Sequence, residues 1–214
     1  FKPTPDRGVY KSTDGGYNWE KILYVNEVSG AIDLIIDPND PETLYATTWE
    51  VKRTPYSLES GGPGSKMFKT TDGGKNWTGI KGAPGGDDYH RIWINPNNPN
   101  IMFASAWERE RKAYNFKGNG VHSGIYKSED AGMTWKKINS NSGFPTNIGI
   151  GRIGLTSYNE NITYAIVDNQ NLRPNASIEK PKDANAALFE VEVIGAEIYK
   201  TTDSGKTWTK TNDK

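Results

Sequence analysis

Apolar residues in this chain come in short runs, and no segment carries them at a sustained helical period. Ala31 to Ile36, Thr43 to Thr48, Ser65 to Lys69 and Trp77 to Ile80 read as alternating or buried apolar runs, and clusters of Pro, Asn, Asp and Gly separate them. Such runs bounded by turn formers predict β-strands. The link between the first two runs recurs along the chain. Ile35-Ile36-Asp37-Pro38-Asn39-Asp40-Pro41-Glu42-Thr43-Leu44-Tyr45-Ala46 returns as Trp93-Ile94-Asn95-Pro96-Asn97-Asn98-Pro99-Asn100-Ile101-Met102-Phe103-Ala104. A worn third copy runs from Gly154 to Ala165. Proline presets φ, and Asp or Asn side chains bond nearby amides, so each link predicts a tight turn.

A second motif keeps time with the first. Ser12-Thr13-Asp14-Gly15-Gly16-Tyr17-Asn18-Trp19 is followed by Thr70-Thr71-Asp72-Gly73-Gly74-Lys75-Asn76-Trp77, then by Ser128 to Trp135 and Thr201 to Trp208. The shared pattern is Ser/Thr-x-Asp-x-Gly-x-Asn/Thr-Trp, fixed by Ser12, Asp14, Gly16 and Trp19; Thr70, Asp72, Gly74 and Trp77; Ser128, Asp130, Gly132 and Trp135; and Thr201, Asp203, Gly205 and Trp208. Its aspartates lie 58, 58 and 73 residues apart. The carboxylate accepts bonds from turn amides, the glycine takes positive φ, and the tryptophan opens the next strand. One carboxylate per turn falls far short of the oxygen set that calcium needs, so the motif reads as structural.

Repeated four-stranded units are the blades of a β-propeller, which makes the fold class all-β. The reading gives a half blade over 1–24, blades over 25–81 and 82–139, and a blade over 140–214 with a long insertion at 168–195. The chain enters at the third strand of one blade and leaves after the fourth of another. It is therefore expected to be an arc of about three and a half blades in a larger ring, completed by further blades of the same protein or by a partner chain. An intact mass several times 23.8 kDa is the corresponding expectation.

Composition then narrows the functions. Lys+Arg and Asp+Glu are both 26, so no net charge draws the chain to nucleic acid, and no long apolar span suits direct membrane insertion. Cysteine is absent, which removes disulfides and thiolate zinc sites. His90 and His122, the two histidines, form no metal motif, and no metal or cofactor is expected. Sequons begin at Asn76, Asn161 and Asn175, the first inside a repeated turn, and are read as incidental.

The four turns resemble the Asp box, or bacterial neuraminidase repeat. With the Asp-Pro link they resemble sortilin-type (VPS10-like) propellers common among secreted bacterial proteins. That resemblance implies a non-catalytic module, extracellular, on the cell surface or periplasmic, binding protein, peptide or glycan. Asp boxes also occur in sialidases and xyloglucanases, so a glycoside hydrolase whose catalytic residues fall largely outside this segment stands as an alternative, as does a structural component of a surface assembly. A sialidase would need an arginine triad and an Arg-Ile-Pro motif, and no such motif is present. Asp87 and Asp88 could face a cleft, or simply form a solvated turn.

Propellers bind through the loops between strands. Long insertions run from Trp49 to Gly64, Trp107 to His122 and Asp168 to Gly195, and the first two begin in register. Aromatics beside arginine make a sugar or peptide platform, which nominates Trp49, Arg53, Tyr56, Trp107, Arg109 and Arg111. Packing between blades is the competing role for the tryptophans, and a solvated, self-paired face for Glu108-Arg109-Glu110-Arg111. His90-Arg91 and Gly151-Arg152 stand at matching starts of innermost strands, so His90, Arg91 and Arg152 are candidates for an anionic ligand in the channel. Pairing with neighbouring carboxylates is the competing role there. No catalytic residue is assigned.

Overall fold

Each tight turn closes an antiparallel pair. The computed structural model describes residues 2–81, 83, 88–112, 114–174 and 193–211, with the side chains of 88–91 and 111–112 outside that description. Strands β1 (Val9–Lys11) and β2 (Glu20–Leu23) form a two-stranded sheet. Next come β3 (Ser29–Asp37), β4 (Asp40–Arg53), β5 (Ser57–Ser60), β6 (Met67–Thr70) and β7 (Thr78–Gly79). Here β3, β4, β6 and β7 pair in that order, while β5 pairs with the far end of β4.

The chain continues through β8 (Asp88–Ile94), β9 (Met102–Trp107), β10 (Glu110–Lys112), β11 (Asn115–Lys117), β12 (Gly124–Ser128) and β13 (Lys136–Lys137). Of these, β8, β9, β12 and β13 make a four-stranded sheet. A 3₁₀ turn at Ser140–Ser142 leads to β14 (Ile150–Ser157), β15 (Thr163–Leu172), β16 (Val193–Thr201) and β17 (Thr209–Lys210), the last sheet. These are propeller blades: successive antiparallel four-stranded sheets with their cores between them.

The cores are inter-blade layers. Val9, Leu23 and Ala46 fill the first, and Tyr45, Met67, Ile92, Ile94, Met102 and Ala104 the second. The third is the largest and the most aromatic, with Phe103 stacked on Trp93 at 5.7 Å and Phe144 edge-on to Tyr199 and Trp208 at 5.2 and 5.5 Å.

All four repeated turns share one hydrogen-bond scheme. The Ser12 hydroxyl donates to Asp14 Oδ1 and accepts from the Gly16 amide, while the Asn18 amide and side chain donate to the two Asp14 oxygens. The same bonds recur around Asp72, Asp130 and Asp203, with Thr134 and Thr207 in place of asparagine. Each aspartate is held at about 2. The Asn18 and Asn76 amides are the first cause at Asp14 and Asp72, and the Thr134 hydroxyl at Asp130; at Asp203, burial pushes upward and the Thr207 bonds outweigh it.

The tryptophans do not open the last strand as expected. Each precedes it, and the indole N–H of Trp19, Trp77 and Trp135 donates back to the carbonyl of the box glycine. Trp208 departs: its indole nitrogen is buried without a partner among the described residues, while the ring packs against Phe103 and Phe144.

Two further departures concern the site. The insertions after Trp49 and Trp107, expected as loops, extend the strands, because residues 51–53 find hydrogen-bonding partners in 58–60 and residues 110–112 in 115–117. Moreover β10 pairs with β5, Arg111 opposite Leu58 and Lys112 opposite Ser57, so β4, β5, β10 and β11 run as one sheet across two blades. The second departure is a register shift. The turn between β14 and β15, residues 158–162, is two residues shorter than its counterpart at 95–101. Ile153 therefore faces Val167, whereas Arg91 faces Ser105, and Arg152 sits two positions nearer the insertion rim than Arg91.

Candidate functional site

Antiparallel order puts the Asp boxes and proline links on one rim and the insertions on the other. On the insertion rim, β4 and β9 each end in a Trp-Glu pair 58 residues apart. The Trp49 indole N–H donates to Ser60 Oγ at 2.9 Å and that of Trp107 to the Gly118 carbonyl at 2.7 Å, each acceptor eleven residues on. Both rings are thus pinned at the base of their insertions with their faces turned sideways.

Between the rings lies Arg109. Its guanidinium carbon is 5.0 Å from the Trp49 ring centre and 4.7 Å from that of Trp107, and its Nε donates to Ser60 Oγ at 3.3 Å. Arg152, exposed, stands 5.9 Å from the Trp107 ring. The result is a ladder of alternating rings and cations that crosses three blades, each contact worth roughly 0.5–2 kcal/mol. Among the described residues no carboxylate pairs with Arg152, so the channel pairing weighed for it is absent there.

The glutamates do something the sequence did not reveal. Glu50 Oε2 accepts from the Gly64 amide at 2.7 Å, and Glu108 Oε2 from the His122 amide at 3.0 Å, fourteen residues on in both cases. Their own amides donate to Ser65 and Ser123 hydroxyls, again in register. Burial pushes the Glu108 carboxyl upward, but the His122 amide and the Lys117 ammonium together hold it below its usual range. These carboxylates are clasps that close the insertions, not groups offered to a ligand.

In the last blade the register position of Trp49 and Trp107, three residues after the alanine of the link, belongs to Asp168. Gln170 Nε2 donates to Asp168 Oδ2 at 2.7 Å, and Gln170 Oε1 accepts from Asn119 of the preceding blade at 2.6 Å. A half-buried, oriented carboxylate therefore continues the line of the two tryptophans. The shortened turn hid this equivalence.

Of the other predicted residues, Arg53 is exposed opposite Leu58, and Tyr56 stands 77% exposed at the tip of its hairpin, where Tyr114 occupies the same place in the next. Arg111 lies on β10, and His90 and Arg91 on β8, but their side chains lie outside the described residues. Asp87 lies outside them as well, and Asp88 begins β8. No cluster of three or more His, Cys, Asp or Glu gathers among the described residues, and none of the described helices is long and apolar enough to cross a membrane.

The family model described as "Sortilin, neurotensin receptor 3" (Sortilin-Vps10) matches residues 7–144. This chain belongs to the Sortilin-Vps10 family. Within that family frame, its curated relatives include enzymes. The sortilin-family chain is 23% identical over 228 residues to a xyloglucanase of Hypocrea jecorina, covering 97% of this chain and 23% of the relative. It is 27% identical over 157 residues to Xyloglucanase Xgh74A of Acetivibrio thermocellus, covering 63% and 16%. The chain thus spans less than a quarter of the length of either. In fold it resembles the GH74 xyloglucanase of Xanthomonas campestris, with TM-score 0.62 and 14% identity over 99% of this chain and 28% of that one. The GH74 enzyme of Niastella koreensis gives TM-score 0.54 and 20% identity over 99% and 27%.

Proposed function

We propose that this chain is the glycan-holding arc of an extracellular, xyloglucanase-like glycoside hydrolase, with the insertion rim as its sugar-facing surface. The alignment to a xyloglucanase along 97% of the chain carries this reading over a purely non-catalytic module. Stacking explains the rest. Sugar rings present apolar C–H faces to indoles and hydroxyls to guanidinium donors, and the Trp49–Arg109–Trp107–Arg152 ladder supplies both along one line. Glycosidic cleavage needs two carboxylates about the scissile bond. Asp168, at the end of that line and oriented by Gln170, is the residue we assign to one of them.

The test is hydrolysis and binding of xyloglucan oligosaccharides by the natively produced protein. Trp107→Ala should weaken binding at least tenfold, while Asp168→Asn should lower kcat at least a hundredfold with binding retained. No binding of xyloglucan by the intact wild-type protein would overturn the reading. The family match favours a second reading, capture of a peptide carboxylate by Arg109 and Arg152. Binding of acidic-terminus peptides in place of oligosaccharides would support it.

A further inference from the structure

The Asp-box rim holds clefts where one blade's last strand meets the next blade's box. Two of them occupy equivalent places. The first, about 510 Å³, is lined by Thr78, Gly79 and Met133 among others. The second, about 410 Å³, has Lys136, Lys137 and Lys206 at the corresponding positions, 58 residues on from Thr78 and Gly79 and 73 on from Met133. The first interface thus sets two lysines, Lys69 and Lys81, against Asp72, and the next sets four lysines against Glu129 and Asp130.

The charges in the second cleft are not balanced internally. Lys127 is spent on Glu129 at 2.7 Å, and Lys137 donates to the Val121 carbonyl at 2.6 Å. Asp130 is saturated by its own box. Lys136 and Lys206 line this cleft together with Lys127 and Glu129, and Glu129 is held below its usual range, first by the Lys127 hydrogen bond and also by the charges of Lys136 and Lys206. Among the described residues, the ammonium groups of Lys136 and Lys206 have no hydrogen-bond or ion-pair partner. Asn139, Asn141 and Ser142 line the same cleft; Asn139 Oδ1 and the Ser142 hydroxyl are engaged within the turn, which leaves the side-chain amide N–H groups of Asn139 and Asn141 to donate to sugar hydroxyls.

We propose that this cleft binds an acidic sugar, its uronate carboxylate held between Lys136 and Lys206 and its hydroxyls by the Asn139–Ser142 turn. Two features favour a compact acidic sugar over an acidic peptide. The volume lies within the range of small-molecule sites. The strand beside it, β13, is only two residues long, too short an edge for an extended peptide to add to. The site lies on the rim opposite the ladder and does not depend on what the ladder holds.

Calorimetric titration of the purified chain with tri-galacturonate, with maltotriose as the neutral control and tri-glutamate as the peptide control, tests this. Saturable binding of tri-galacturonate alone is expected, weakening at least tenfold in Lys136→Glu/Lys206→Glu and weakening as salt rises. Lys81→Glu, in the first cleft, should leave it unchanged. All three positions are exposed, so circular dichroism should report an intact fold in each variant. Absence of saturable binding, indifference to the double reversal, or equal binding of tri-glutamate would overturn the proposal.

Discussion

At the fourth position of the Asp box the backbone is left-handed in every copy, but the residue there is not always glycine. Gly15 and Gly73 sit at φ 75° and 68°, whereas Ala131 and Ser204 hold φ 56° and 57°. Their amides, like that of Gly73, tie the box to the proline link: Gly73 to Glu42, Ala131 to Asn100 and Ser204 to Asn161. Ala131→Gly should relieve strain and raise stability by about 0.5–1 kcal/mol, a shift of roughly 1–4 °C in melting temperature. Ser204→Gly should gain nothing, because Ser204 Oγ also donates to the Glu160 carbonyl at 2.7 Å. Equal gains in both would refute the strain argument. The box aspartates set a pH limit at this same scale. Their folded values near 2 lie below the ordinary 3.8, so their stabilisation is complete above about pH 4 and is lost as pH falls from 4 towards 2. A melting temperature that stays level down to pH 2 would contradict this. The box was legible in the sequence because its bonds are local. The indole bond back to the glycine carbonyl was not, since spacing alone does not say where a ring folds.

Among the elements, the insertions repeat as closely as the boxes do. A Cβ on Gly62 would stand 2.6 Å from Glu50 Cδ, and one on Gly120 would stand 2.1 Å from Glu108 Cδ, so the clasp needs glycine twice in register. Glu50→Ala should leave the Gly64 amide unsatisfied and cost about 1–3 kcal/mol. Hydrogen exchange should quicken across β5 while β1 and β2 keep their protection. Uniform loss across all sheets would show the clasp to be a global support instead. The sequence put Trp49 and Trp107 side by side, because equal spacing along a repeat implies equal height in neighbouring blades. It did not reveal Arg109 between them. Glu108 to Arg111 looked like a solvated run, and only the pairing of β10 with β5 draws that run over the preceding blade. In the last blade, repeat counting misplaced Arg152 and overlooked Asp168, because a two-residue deletion in a turn reverses no face but moves every neighbour along the strand.

Across the molecule, the blades are held by contacts that run from each one to the next box. Lys11 Nζ donates to the Gly73 carbonyl at 3.0 Å, and Tyr45 and Lys69 donate to the Ala131 carbonyl at 3.1 and 3.4 Å. Box glycines complete the seam by close approach. A Cβ on Gly205 would come within 2.6 Å of the Phe103 ring, whereas one on Gly16 would meet only Trp19, at 3.9 Å. Gly205→Ala should therefore cost about 2–4 kcal/mol and Gly16→Ala about 1 kcal/mol, compared by denaturant unfolding. Similar losses would mean that backbone conformation alone decides the residue. Phe103→Ala should cost about 3–5 kcal/mol and loosen the last two blades together, since Phe103 touches Trp93 in its own sheet and Trp208 in the next. Blade architecture was readable from the chain because four turns and three links mark the strands. Which interface carries the aromatic weight was not, for Phe144 lies in a linker whose packing no repeat announces.

The two insertions share their length, their anchoring indole, their carboxylate clasp and their closing serine, and they differ in the residues between. They are two copies of one frame. The hairpin tip at residues 54–57 could be replaced by a foreign segment of equal span while the indole anchors and glutamate clasps beneath it stay in place. Binding specificity on this rim can therefore diverge while the scaffold stays fixed, which gives evolution and the engineer the same handle.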